Sequence, residues 1–498
     1  MCGGCIQSGL SVADSVGLEP STTKALSIAT AAVMLFSLSS PLVPTSSSVR
    51  AGAVCAKANQ KVVKSDKTFV CKKSGKKFVW KVQIKKLITP PDETVVPVVP
   101  PKKVEYQNPS QPSDNIQSCQ IREVKPRNAR AGPDGAPILL PSGFPRVTPA
   151  TQHLGTVTWA LIPIDFPDLS GDLNFESRVD GQMKSVTDWF DTVSEGKLKV
   201  NWRVDSKWVR LPKPTTEYVI PFSVNLRDSE NGIKLWRDAM AAADPGFDFT
   251  NIQQVIFVLP KGQTFMKETS QGFPWDKAVI DLKTNEGSVA GFAVTGSDFD
   301  WPGRQYWPHW AHEFGHSISL AHIGSSRGDN PPFNPFDLMG GQEGPSRELN
   351  GWMRFLAGWL VDEKIYCKAA TNLTDLKLTL APLSDQKSGL KLAIIPVSQT
   401  KAVLVESRRF TKFSCGPKDR NGVLVYTYDA RLSHGEDFLV PIRPTGRPVV
   451  NINTPESPCW TQPFADPLLY EGDSVTVEGM TIKVLQSGDY DQIQVQRP

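Results

Sequence analysis

Residues 307–322 read W-P-H-W-A-H-E-F-G-H-S-I-S-L-A-H. The whole chain has six histidines, and four of them, His309, His312, His316 and His322, fall in this stretch. A scarce side chain gathered in one place calls for a chemical reason. On a helix, positions four apart lie about 40° apart around the axis, one turn along it. His312 and His316 so placed aim two imidazoles at one cation, and neutral imidazole suits Zn²⁺. Glu313 is one step round the helix, where it can hold a water against that cation. Pro308 suits the first turn of such a helix. Two histidines leave the ion short of ligands. His322 can turn back to it only if the helix stops between His316 and His322.

A rival set is His309, His312 and His316 on one continuous helix face. His309 and His316 would then sit about 10 Å apart along the axis, too far for bonds of about 2 Å to one zinc. His309 is therefore read as a helix-start residue facing the cleft. His153 and His434 are read as surface residues.

Outward from this stretch, the 498 residues fall into segments of different character. Residues 25–44 are apolar and follow Lys24, and Ala51-Gly52-Ala53 supplies small residues for cleavage, so 1–53 reads as a secretory signal peptide. Residues 54–86 hold eleven Lys and one Asp around two Cys. That is a small basic β-hairpin module of charge +10, which leaves −6 on the 412 residues outside it and the signal. The net charge of +4 hides this division and does not argue for a nucleic-acid partner. Residues 87–150 contain thirteen Pro and read as a stiff linker.

From 151 to 364 strands and helices alternate. VTWALIPIDFPD (157–168), KLKVNWRV (197–204) and QQVIFVLP (253–260) read as strands, and SVAGFAVTG (288–296) as a more exposed one. Met183, Val186, Phe190 and Val193 recur at helical spacing, with Gly196 at the C′ position; Ile233, Trp236 and Met240 line a second helix. From 365 to 498 the period becomes two, as in Leu376, Leu378 and Leu380, which suggests an all-β sandwich. The fold class expected is α+β.

Eight cysteines support export. Cys2 and Cys5 leave with the signal, and Cys55, Cys71, Cys119, Cys367, Cys415 and Cys459 remain as an even set for disulfides. Cys55–Cys71 is the local pairing expected. Cys119 is read as a disulfide cysteine; the alternative is a thiolate that blocks an open metal position in a latent form. No run after the signal is long and apolar enough to span a bilayer. The chain is thus expected to be secreted, with attachment to an anionic cell-envelope polymer through 54–86 as one role for the lysines.

The motif H-E-x-x-H at 312–316 with His322 resembles that of the metzincin zinc peptidases, H-E-x-x-H-x-x-G-x-x-H followed by a Met-turn. FDLMG (336–340) looks like that turn, with Met339 seventeen residues after His322. Within that group the chain most resembles the immune-inhibitor-A-type secreted peptidases, through LIPIDFPD (161–168), WFDTVSEGKLKV (189–200), HEFGHSISLAH (312–322) and LNGWMRFLAGWL (349–360). The resemblance implies a metzincin-like catalytic domain, His312, His316 and His322 on Zn²⁺, Glu313 as general base, Met339 as an apolar floor, and a protein or peptide substrate. It also implies that the strand near 288–295 pairs with an extended substrate. The pattern puts Gly where this chain has Ser319, a departure that bears on the reach of His322. Acidic loops around Asp329 and Asp337 offer oxygens to Ca²⁺, without the spacing of a calcium loop. The alternative function is an inactive envelope-binding or adhesive protein on a peptidase scaffold.

Overall fold

The computed structural model describes 53–83 and 102–497 with gaps. Residues 1–52, 56–57, 59, 65–66, 75–76, 84–101, 125–128, 132–136, 147–150, 222–228, 268–269, 273–282, 325–332, 334–335, 343, 416–419, 451–462 and 498 lie outside the described residues. The expected signal segment and the run TPPDETVVPVVPP therefore fall outside as well. Among the described residues no helix is long and apolar enough to cross a membrane. The fold is mixed α/β, with several sheets and few helices.

The lysine-rich segment forms its own unit. Its three antiparallel strands are Lys61–Lys64, Lys67–Ser74 and Lys77–Gln83. Cys71 lies opposite Trp80 and is bonded to Cys55, so the expected local disulfide is present. Cys55, Phe69, Cys71 and Trp80 make a core too small to hold a fold unaided, which is what the disulfide offsets. Lys61, Lys72, Lys73, Lys77 and Lys81 are exposed.

In the larger unit a first sheet has the order β4-β5-β3-β1-β2, where β1 is Gly155–Asp165, β2 Leu198–Val204, β3 Ile252–Val258, β4 Ser270–Gly272 and β5 Gly291–Val294. The first three run parallel with β5, and β4 runs antiparallel at the edge. Helices α1 (Glu176–Val193) and α3 (Trp307–Ser317) lie on one face, and α2 (Glu230–Ala243) lies on the other. The period-two alternation of β1 divides its side chains accordingly. Val157, Trp159 and Leu161 join the α1/α3 core, whereas Ala160, Ile162 and Ile164 join the α2 core. Strand β5 was expected to be exposed. It is buried along its whole length, because β3 and β4 take its two edges.

A second sheet has the order β6-β8-β9-β10-β11: Ile365–Cys367, Leu392–Ser398, Lys401–Arg408, Gly422–Asp429 and Leu439–Pro441. A third has the order β7-β14-β13-β12: Asp375–Leu380, Asp491–Gln496, Met480–Ser487 and Ser474–Val477. Val403, Val405, Val423 and Val425 share a core with Leu378, Ile482 and Ile493 of the third sheet. The intervening Ala402, Leu404, Leu424 and Tyr426 pack instead with Trp352 and Phe355 of α4 (Gly351–Leu356). The second sheet is thus buried on both faces, sandwiched with the third sheet and also seated on the 151–364 body.

Buried charges reinforce this second contact. Glu406 of β9 accepts hydrogen bonds from the Gly351 N–H at 2.7 Å and the Tyr426 hydroxyl at 2.7 Å, and pairs with Arg408 at 2.5 Å. Ions this deep are tolerated only when paired and hydrogen bonded.

Part of the 87–150 segment also differs from a free linker. Val104, Cys119, Ile121, Leu140 and Phe144 are buried, and Cys119 is bonded to Cys367. The disulfide commits the Cys119 sulfur to structure, so it carries no thiolate for latency. Gly196 sits one position later than expected: Ser194 caps α1, and Glu195 and Gly196 both have positive φ, of 54° and 77°.

Candidate metal centre

Helix α3 is apolar on nearly all sides, as a helix between a sheet and its neighbours must be. Trp310, Ala311 and Phe314 are fully buried, and Phe314 meets Trp159 of β1 with ring centroids 4.9 Å apart. Its N-terminus has no cap from its own sequence. Gln182 Oε1 of α1 accepts the N–H groups of Tyr306 and Trp307 at 3.0 and 2.8 Å instead.

The C-terminus carries the more consequential device. The Leu320 N–H donates to the Gly315 carbonyl at 3.0 Å and the Ser319 N–H to the His316 carbonyl at 2.9 Å. This is a Schellman stop, with Ser319 at C′ and a φ of 73°. A left-handed backbone costs an L-residue roughly 1–2 kcal/mol, and the Ser319 hydroxyl is buried with no hydrogen-bond partner. The sequence departure therefore keeps the turn that glycine would make more cheaply. Ser319→Gly is expected to stabilise the chain by about 1 kcal/mol after the entropy of glycine is set against the gain, a rise in Tm of roughly 1–2 °C. A lower Tm in that variant would contradict the assignment of strain.

Among the described residues one group of three could hold a metal ion. His312, Glu313 and His316 each offer a ligand atom, all within 4.8 Å of one another. The His312 and His316 ring centroids are 4.8 Å apart. His312 Nδ1 donates to the Leu338 carbonyl at 2.7 Å, and His316 Nδ1 donates to the Leu320 carbonyl at 2.8 Å. A carbonyl can only accept, so each Nδ1 carries a proton, and in the neutral ring Nε2 is then the atom that keeps a lone pair. Burial, with His316 and His322 adding repulsion, holds the His312 pKa well below the usual imidazole range, so the ring is neutral at pH 7. Two imidazoles with their Nδ1 atoms tied down and their Nε2 atoms oriented are the donor set that zinc takes.

His322 stands outside that tight group but in ring contact with it, its centroid 5.2 Å from His312 and 6.1 Å from His316. Burial lowers its pKa as well. His309 does not join these rings. Its Nδ1 donates to Gln342 Oε1 at 3.1 Å, and Gln342 Nε2 donates in turn to Glu313 Oε1 at 3.2 Å. Burial, with the Arg304 charge adding to it, pushes the His309 pKa down to about 4. The neutral ring fixes the amide, and the amide fixes the Glu313 carboxylate.

Met339 is fully buried against α3. A Cβ on Gly315 would meet its sulfur at 3.2 Å, so the glycine of HEFGH leaves space for the methionine. Asp337 anchors the turn, accepting from the Met339 N–H at 2.8 Å, the Asn350 N–H at 2.6 Å and the Asn350 amide at 2.8 Å. Fully buried, with its pKa raised to about 6 by burial, Asp337 serves the turn and is not placed to ligate Ca²⁺. Asp329 lies outside the described residues.

His434 was read as a surface residue and is at the site. Its ring centroid lies 5.8 Å from His316 and 6.4 Å from His322. His153 makes no ring contact with these histidines among the described residues; its carbonyl accepts the Trp359 indole N–H at 3.0 Å.

No protein-family model matches the chain, and no curated protein matches it. Among solved structures it is similar to wild-type OgpA from Akkermansia muciniphila in two crystal forms. One match has 10% identity and a TM-score of 0.26, covering 58% of this chain and 93% of that one. The other has 11% identity and a TM-score of 0.25, covering 60% and 93%. It is also similar to catalytically inactive OgpA in complex with an O-glycopeptide (glycodrosocin) substrate, at 10% identity and a TM-score of 0.25, covering 58% and 93%. At these TM-scores the likeness carries no functional argument, and the site stands on its own geometry.

Proposed function

We propose that the chain is a secreted zinc-dependent endopeptidase of metzincin type, acting on protein or peptide substrates. The observation that carries this is the grouping of His312, Glu313 and His316 within 4.8 Å, with both Nδ1 protons tied to main-chain carbonyls. His312, His316 and His322 would hold the zinc ion. When bound, zinc supplies a Lewis acid that polarises a carbonyl and lowers the pKa of water towards neutrality. The Glu313 carboxylate, steadied by Gln342, takes a proton from the attacking water and delivers it to the leaving amine nitrogen. Met339 closes the apolar floor beneath the imidazoles and keeps water from the buried side.

The expected substrate strand is not β5 as it stands, since β4 covers its outer edge. The exposed lysines of the 53–83 unit support a second role beside hydrolysis, attachment to an anionic envelope polymer. The function is tested by hydrolysis of unfolded casein, which the purified chain should perform. Replacing the Glu313 carboxylate should slow it by about 10²-fold or more, and cleavage at an undiminished rate would contradict the reading.

A further inference from the structure

His322, the third histidine of the motif, has no helix beneath it. It follows the left-handed turn at Ser319 in an irregular stretch, where its ring is hydrogen bonded to the Gly324 main chain, so its orientation depends on what holds 322–324 in place. Its main chain is held by a loop between β10 and β11, more than a hundred residues on. The His322 N–H donates to His434 Nδ1 at 2.9 Å. The Gly435 N–H donates to the His322 carbonyl at 3.0 Å, and the Gly324 N–H donates to the Glu436 carbonyl at 3.2 Å. The loop is closed on itself, because the Glu436 carboxylate accepts the Ser433 N–H at 2.8 Å and the Ser433 hydroxyl at 3.2 Å.

We propose that His434 is a positioning residue of the metal centre, which makes the C-terminal β-region a working part of that centre. His434 acts through His322 and not as a fourth ligand. Its Nδ1 accepts a main-chain N–H, so the neutral ring carries its proton on Nε2 and has no lone pair left for a cation. With the His322 main chain engaged by 434–435, and the Gly324 main chain that bonds its ring held by Glu436, the imidazole keeps the orientation that the ion requires.

The proposal rests on the zinc reading above. Its test is a zinc titration of the full chain against a chromophoric chelator. His434→Ala is expected to weaken zinc binding about 10- to 100-fold, the range for an outer partner of a metal ligand. His434→Asn, whose carboxamide oxygen can accept the same N–H, should stay within about threefold of wild type. A purely structural role for the ring would make both variants equally weak. Equal affinity in wild type and His434→Ala overturns the proposal, as does an Asn variant as weak as the Ala variant. A wild-type chain that binds no zinc overturns the zinc reading and this proposal with it. Zinc binding lost in His322→Ala but unchanged in His434→Ala overturns this proposal alone.

Discussion

Glu313→Gln is expected to reduce kcat for casein hydrolysis by about 10²- to 10⁴-fold, the usual contribution of a general base. Zinc should remain bound at about one ion per chain, since the proposed ligands are untouched. The variant is informative because it changes so little else. Glutamine has the same shape, and its amide oxygen can still accept the Gln342 N–H that now meets Glu313 Oε1 at 3.2 Å. What it lacks is a group that takes up a proton at pH 7. Loss of kcat with zinc retained would place the defect in proton transfer. Loss of zinc as well would make Glu313 a ligand, a role that its place within the 4.8 Å group would permit.

The ligands themselves give the second large effect. His312→Ala and His316→Ala should each weaken zinc binding by more than about 100-fold, beyond the loss seen when only an outer partner is removed. His309→Ala should leave affinity within a few-fold of wild type. Its Nδ1 is turned to Gln342, and its ring makes no contact with the ligand rings among the described residues. It should instead lower kcat, through the amide that steadies Glu313. The reverse pattern, with zinc lost on removal of His309 and kept on removal of His316, would exchange the proposed ligand set for the rival one. The two outcomes separate cleanly in a competition titration, which needs no substrate.

How much of this was legible in the sequence depended on how local the cause was. The i, i+4 pair on α3 and the stop before Leu320 arise from short-range geometry with a signature within a few positions, whereas the methionine against Gly315 came from the family resemblance. Strands β9 and β10 could also be read from their alternation. Their second buried face could not, because Ala402, Leu404 and Leu424 look the same whether they meet solvent-side neighbours or the α4 helix. Glu406 and Arg408 are buried where β9 meets the 348–354 segment, an environment that the alternation does not show.

The elements missed at the site share one property. His434, Gln182 and Gln342 act on residues far from them along the chain, through one or two hydrogen bonds each that leave no periodic trace. His434 could have been suspected from one signal, the scarcity of histidine itself. With only six in the chain, each is a stronger candidate for a shared task than an average polar residue. Ser319 shows the opposite case. The resemblance puts glycine at this position, and the structure has the positive φ there with a non-glycine residue.

The central claim is that hydrolysis requires a zinc ion at these histidines. The most direct measurement removes the metal from purified wild-type chain with a chelator, dialyses the chelator away, and follows casein cleavage as zinc is returned. The account predicts no cleavage by the stripped chain and full recovery at about one zinc per chain. Cleavage that continues undiminished in the stripped chain would contradict it.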